Sequence, residues 1–167
     1  MIIEKAKNED LDKIMSIYEY AKVFMKETGN LHQWNEHYPS RQLIKQDIIK
    51  EQCFVCKDSN EIVGVFAFII GDDPTYQIIE NGHWSSNGKY GTIHRIATNG
   101  KVKGVAKICY QFCKSKINYL RADTHEDNKI MQKSLLNNGF KTCGTIYVAD
   151  GSPRIAFDFV DQSKGSE

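Results

Sequence analysis

The sequence has almost no charge of one sign to spare: 22 Lys and Arg stand against 21 Asp and Glu, a formal net charge of +1. That removes the electrostatic footprint expected of a protein that binds nucleic acid or an anionic membrane. No apolar run approaches bilayer length, and the start, Met1 to Lys7, has neither a charged-then-apolar leader nor a small-residue cleavage site. A cytoplasmic location is expected. An even set of cysteines is also missing: five among 167 residues argue against a disulfide scaffold and for reduced thiols. Cys53-x-x-Cys56 has no second pair of that spacing, and no His-x-x-x-His completes a ligand set for Cys109 and Cys113. In an extended run, residues three apart point to opposite faces. Buried structural cysteine, and no metal, is the expectation. Neither Gly-x-x-x-x-Gly-Lys-Ser/Thr nor Gly-x-Gly-x-x-Gly occurs, which weighs against a nucleotide-binding regulator.

What is present suits one globular domain: 41% of the residues are hydrophobic, and the length is enough for one core but short for two. Ile2 to Ala6 reads as a strand. Asn8 offers an N-cap, and Leu11, Ile14, Met15, Tyr18, Ala21 and Met25 recur at helical spacing as far as Thr28, before Gly29-Asn30. Leu31 to Tyr38 has no period and is rich in aromatics and imidazoles; it is either a plug between two helices or the wall of a binding site. Pro39-Ser40 opens a second helix to about Lys50, and Cys53–Lys57 and Ile62–Ile70 form a hairpin about Asp58–Glu61. Asp72-Asp73-Pro74 breaks that run, and Tyr76 to Trp84 is a short helix or a loop. Strand Tyr90–Thr98, helix Val105–Lys116, strand Tyr119–Thr124 and helix Asn128–Asn137 follow, then a hairpin of Phe140–Val148 and Arg154–Val160. The order predicts an α/β domain over 1–161: a mixed, mostly antiparallel sheet with helices on both faces. Residues 162–167 form a polar tail.

Lys101-Val-Lys-Gly-Val-Ala106 joins a strand to a helix, where free N–H groups and the positive end of the helix dipole suit a phosphate. A plain connection with solvated lysines is the competing reading. Downstream, Asn128, Met131, Leu135, Gly139 and Phe140 fall on a second register. Together the two segments resemble those of the GCN5-related N-acetyltransferase (GNAT) family, Gln/Arg-x-x-Gly-x-Gly/Ala and Asn-x-x-Ala-x-x-x-Tyr-x-x-x-Gly-Phe. Lys101 replaces the usual Gln or Arg, and Leu135 the usual Tyr.

The resemblance implies an acetyl-CoA N-acyltransferase-like fold with a splayed central strand pair. It implies an N-acetyltransferase that moves an acetyl group from acetyl-CoA directly to a primary amine of a small molecule or peptide; a catalytically quiet acetyl-CoA-binding module of the same fold is the alternative. A homodimer stays open. The pyrophosphate would lie on Lys101, Val102, Lys103, Gly104, Val105, Ala106 and Lys107, and the cofactor arm along Ile96, Ala97 and Thr98. Met131 would lie beside the arm, and Asn128 is either an N-cap, a donor to that arm, or both. His94 stands where some family members place a base, and an imidazole suits proton removal from an amine; a structural histidine is the competing reading. Glu80, Asp123 and His125 are the other candidate bases. With Leu135 at the position of the usual acid, on a helix face directed to the cofactor sulfur, Tyr147 or Ser134 would have to serve, or the thiolate leaves unassisted. Strand alternation lets only one of His94 and Arg95 face the acceptor. Trp34, Tyr38, Trp84 and His125 are the expected acceptor-binding residues.

Overall fold

In the computed structural model, which describes residues 1–162, two-residue periodicity and helical stripes sort the chain into one open sheet with two helical layers. The strands are β1 (Ile2–Lys5), β2 (Cys53–Asp58), β3 (Glu61–Ile70), β4 (Gly91–Thr98), β5 (Tyr119–Thr124), β6 (Lys141–Tyr147) and β7 (Pro153–Val160). The helices are α1 (Leu11–Glu27), α2 (Arg41–Ile49), α3 (Val105–Lys116) and α4 (Lys129–Asn137). The sheet runs β1-β2-β3-β4-β5-β7-β6 and is antiparallel except at β4 and β5. The fold class expected from the element order is therefore the one observed. The expected polar tail lies, from residue 163, outside the described residues.

The apolar stripe of α1 (Leu11, Ile14, Ile17, Tyr18) and Ile44 of α2 bury against Val55, Val65 and Ala97 on one face of the sheet. On the other face Cys109, Tyr110 and Cys113 of α3 and Leu135 of α4 pack on Phe54, Phe66, Ile93, Leu120 and Phe157. Cys53 belongs to the first cluster and Cys56 to the second, as strand alternation requires. Among the described residues no three His, Cys, Asp or Glu side chains gather as metal ligands. No described helix is long and apolar enough to cross a membrane.

Three local expectations need correction. Asn8 caps nothing: Asn8–Asp10 is a 3-10 turn whose Asp10 carboxylate accepts the Lys7 N–H at 2.8 Å, so α1 starts at Leu11. The β2–β3 turn is tighter than read, with Ser59 and Asn60 both at positive φ (50° and 65°), the two-residue geometry whose twist matches a hairpin. Tyr76 to Trp84 is neither helix nor free loop. After a 3-10 turn at Pro74–Tyr76 the chain runs along the sheet and Glu80 bridges Thr145 of β6.

Candidate active site

β4 and β5 share only two register pairs, Gly91 with Leu120 and Thr92 with Arg121, and then diverge. The cause is visible in β4's pairing with β3. His94 opposes Ala67 and Ala97 opposes Val65, so Arg95 and Ile96 together face the single residue Phe66. Arg95 is the extra residue of this bulge and adopts φ +52°, a left-handed conformation that costs an L-residue about 1–2 kcal/mol. Tertiary contacts hold it there. The Tyr18 hydroxyl donates to the Arg95 carbonyl at 2.8 Å, and the guanidinium pairs with Asp47 of α2 (Nη2 2.7 Å, Nε 3.2 Å) and donates to the Tyr38 hydroxyl at 3.3 Å. The Asp47 pair is buried, and desolvation alone would lower the Arg95 pKa; the neighbouring Tyr38 and Asp47 outweigh it and raise the pKa.

The bulge overturns the face assignment drawn from alternation. His94, Arg95 and Ile96 all line one cavity, of about 380 Å³; Ile96 also packs against the α3 cluster, and Ala97 sits in the α1 cluster. The cavity lies where the two strands part and is walled by Trp34 and Tyr38 of the α1–α2 connection. That connection is both plug and wall: Trp34 meets Tyr18 edge-on at 5.9 Å while lining the space.

His94 Nε2 lies 2.8 Å from Asp73 Oδ2. Burial pushes the Asp73 carboxyl up, but hydrogen bonds from His94, the Thr75 hydroxyl and the Thr75 N–H outweigh it and bring the pKa down to about 2. An ionised carboxylate only accepts, so Nε2 carries a hydrogen, and in the neutral ring the lone pair is on Nδ1. Asp123 also lines the cavity; burial raises its pKa, and it accepts from Tyr76 Oη at 2.6 Å.

Beyond the divergence, Gly104 at φ +82° turns the chain into α3. The first bond along that helix runs from Ile108 N–H to Gly104 O, so the N–H groups of Val105, Ala106 and Lys107 come before it and are free of that ladder. A Cβ on Gly104 would meet nothing within 4 Å, so the turn opens onto free space. Lys101 donates to Glu61 at 3.0 Å in an exposed pair, a contact of the kind worth at most about 1 kcal/mol. A glycine outside the motif also bears on the helix start. A Cβ on Gly64 of β3 would come within 2.5 Å of Val105 Cγ1, so Gly64 lets α3 sit close on the sheet. Gly64→Ala is expected to destabilise the fold by about 1–3 kcal/mol and to weaken any ligand held at that helix start, read together by thermal melting and calorimetric titration.

Other expected site residues stand elsewhere. Trp84 stacks on Arg121 at 4.1 Å, and the His125 Nδ1 accepts the Asp127 N–H at 3.0 Å; neither lines the cavity. Glu80 and Tyr147 hydrogen-bond each other at 3.0 Å, also outside its lining. Asn128 and Met131 do line it. Both ends of the Asn128 amide are engaged: Oδ1 caps α4 through the Met131 N–H at 3.0 Å, and Nδ2 donates to Gln33 Oε1 at 2.8 Å. Leu135 does not point into the cavity. It is fully buried in the α3–α4 cluster, and Ser134 is bonded to Tyr110 at 3.3 Å, so the phenol in the cavity lining is Tyr38. Leu135→Tyr is accordingly expected to overpack the core and lower stability by about 1–3 kcal/mol without speeding any reaction, checked by denaturant titration. Sequence reasoning missed Asp47, Asp73 and Gln33. Asp47, an acid on the apolar side of α2, was the available signal for the first.

No protein-family model and no curated protein matches the sequence. Among solved structures, the fold is similar to a GNAT-family acetyltransferase from Streptococcus agalactiae, with 30% identity, a TM-score of 0.88, and 96% of this chain and 95% of that one covered. A GNAT-family acetyltransferase from Bacillus cereus shares 22% identity at a TM-score of 0.65, with 96% of each chain covered. The GNAT-like decarboxylase GphF, solved with isobutyryl-CoA, shares 12% identity at a TM-score of 0.66, covering 97% of this chain and all, 100%, of that one.

Proposed function

Because the chain belongs to the GCN5-related N-acetyltransferase family, we propose that it is an acetyl-CoA-dependent N-acetyltransferase that acts on a primary amine by direct transfer. The observation that carries this reading is the bulge at Arg95, which parts β4 from β5 and puts His94 into the resulting cavity. An acyl-CoA fits the residues present. Val105, Ala106 and Lys107 offer N–H groups at the start of α3, Gly104 leaves room in front of them, and Lys103 and Lys107 add charge. The unpaired edge of β4 from Ile96 to Thr98 can take an amide-rich arm. GphF, a neighbour in fold solved with isobutyryl-CoA, is consistent with such a ligand.

The thioester supplies the acetyl group. Asp73 holds the imidazole in the tautomer that leaves Nδ1 basic, and His94 takes a proton from the acceptor's ammonium directly or through one water. Nitrogen then bonds the acetyl carbon as the carbon–sulfur bond breaks. The leaving thiolate is tolerable, since thiols titrate near about 8.5, and the Tyr38 hydroxyl beside Arg95 can return its proton. The test is thiol release from acetyl-CoA with a panel of amines beside calorimetry of acetyl-CoA alone. Binding with no turnover on any amine would favour a quiet acetyl-CoA-binding module, for which burial of Leu135 in place of an acid is the supporting feature.

A further inference from the structure

The cavity contains two arginines in unlike circumstances. Arg95 is neutralised by Asp47. Arg154, near the start of β7, is only 7% exposed, and its hydrogen bonds go to backbone carbonyls, Nη1 to Pro153 O at 2.9 Å and Nη2 to Gln33 O at 3.1 Å. Among the described residues it forms no ion pair, although it lines the same space as His94. A guanidinium has five N–H donors, so most of its donor capacity is unused. A buried charge without a counter-ion is costly by several kcal/mol, and such groups are normally paired. The acids near it hydrogen-bond elsewhere. Asp123 accepts from Tyr76, and the exposed Asp150 accepts the Ser152 N–H at 2.9 Å. Both feel the positive charge of Arg154, and neither closes on it.

We propose that Arg154 receives a carboxylate of the acceptor, which makes the acceptor a small amino acid with its amine at His94 and its carboxylate at Arg154. The proposal rests on the acetyl-transfer reading above. The proton balance is unchanged: His94 takes the ammonium proton, and the acceptor's carboxylate stays ionised and supplies the missing counter-ion. Planar, bidentate pairing with a carboxylate is what a guanidinium does best. The cavity's size agrees, since about 380 Å³ lies at the small end of ligand sites and has to admit the thioester as well. Trp34 and Tyr38 also line the cavity and offer ring surface to the carbon skeleton.

The test compares free amino acids with their own carboxamides as acceptors for the unmodified protein at saturating acetyl-CoA. The carboxylate forms should be favoured in kcat/KM by about 30-fold or more, the loss expected when a buried charge pair is left half-made. Arg154→Gln should compress that ratio to within about threefold, and Arg154→Lys should restore part of it. Equal use of acids and amides by the unmodified protein would overturn the proposal. So would an Arg154→Gln ratio that stays high, or a loss of acetyl-CoA affinity that slows every acceptor alike, which would assign Arg154 to the cofactor or to clamping the Gln33 loop. Titration of the same pairs into the protein with desulfo-CoA keeps the two readings separate. A carboxylate preference in binding without turnover would sink acetyl transfer and leave the anion site standing; no preference in either measurement would remove the site.

Discussion

Replacing His94 with alanine is expected to lower kcat about 100-fold or more while the Kd for acetyl-CoA stays within about twofold, since a positioned general base contributes about 10²–10⁴ in rate. The asymmetry follows from the site's layout. His94 sits on β4 on the near side of the bulge and is fixed by Asp73, whereas the candidate cofactor cradle lies beyond Thr98 at the start of α3. A base must be unprotonated to take the ammonium proton, so the unmodified protein should speed up with rising pH, and the variant should lack that limb. Asp73 does not complicate the profile, because its pKa of about 2 keeps it ionised across the working range. A pH–rate profile that keeps its shape in His94→Ala would pass the base's role to Asp123 or to solvent.

Gly104→Glu is expected to raise the Kd for acetyl-CoA by about 100-fold or more in a protein that still folds. Two effects combine. The residue at φ +82° has to become an L-residue in a left-handed conformation, at about 1–2 kcal/mol, and a carboxylate enters the space in front of the N–H groups that would face the pyrophosphate. Because a Cβ there meets nothing within 4 Å, Gly104→Ala isolates the first effect. It should cost stability and little affinity. Calorimetry of both variants, with circular dichroism as the check on folding, reads the difference. Unchanged affinity in a folded Gly104→Glu protein would remove the cradle from the start of α3.

Local signals in the chain located the elements. Val105–Lys116 and Tyr119–Thr124 are bounded as their periodicities indicate, Ser40 caps α2 by accepting the Leu43 N–H, and Gly139 stops α4 at positive φ. These features depend on neighbours within a few residues, through hydrogen bonds and side-chain direction that every copy of such a segment repeats. The sequence located local features of the candidate site at the ends of elements, the positive-φ turn at Gly104 and the cap at Asn128. It failed where side-chain direction depended on strict alternation: one extra residue at Arg95 turned two neighbouring side chains into one cavity and made the rule wrong from that point on.

By itself, then, the sequence determined the order of strands and helices, the two apolar faces and the glycine turn, because each is written in composition and period over a dozen residues. Only the tertiary structure decided which polar groups meet. Asp73 finds His94 across 21 positions, Asp47 finds Arg95 across 48, and Gln33 reaches Asn128 across 95. No periodicity encodes such distances, since they are set by how the sheet and its layers close. The same closure buries Leu135 away from the site that its place in the motif suggests and leaves Arg154 buried without an ion pair among the described residues, since burial belongs to the packed assembly and not to the helix or strand that carries the residue.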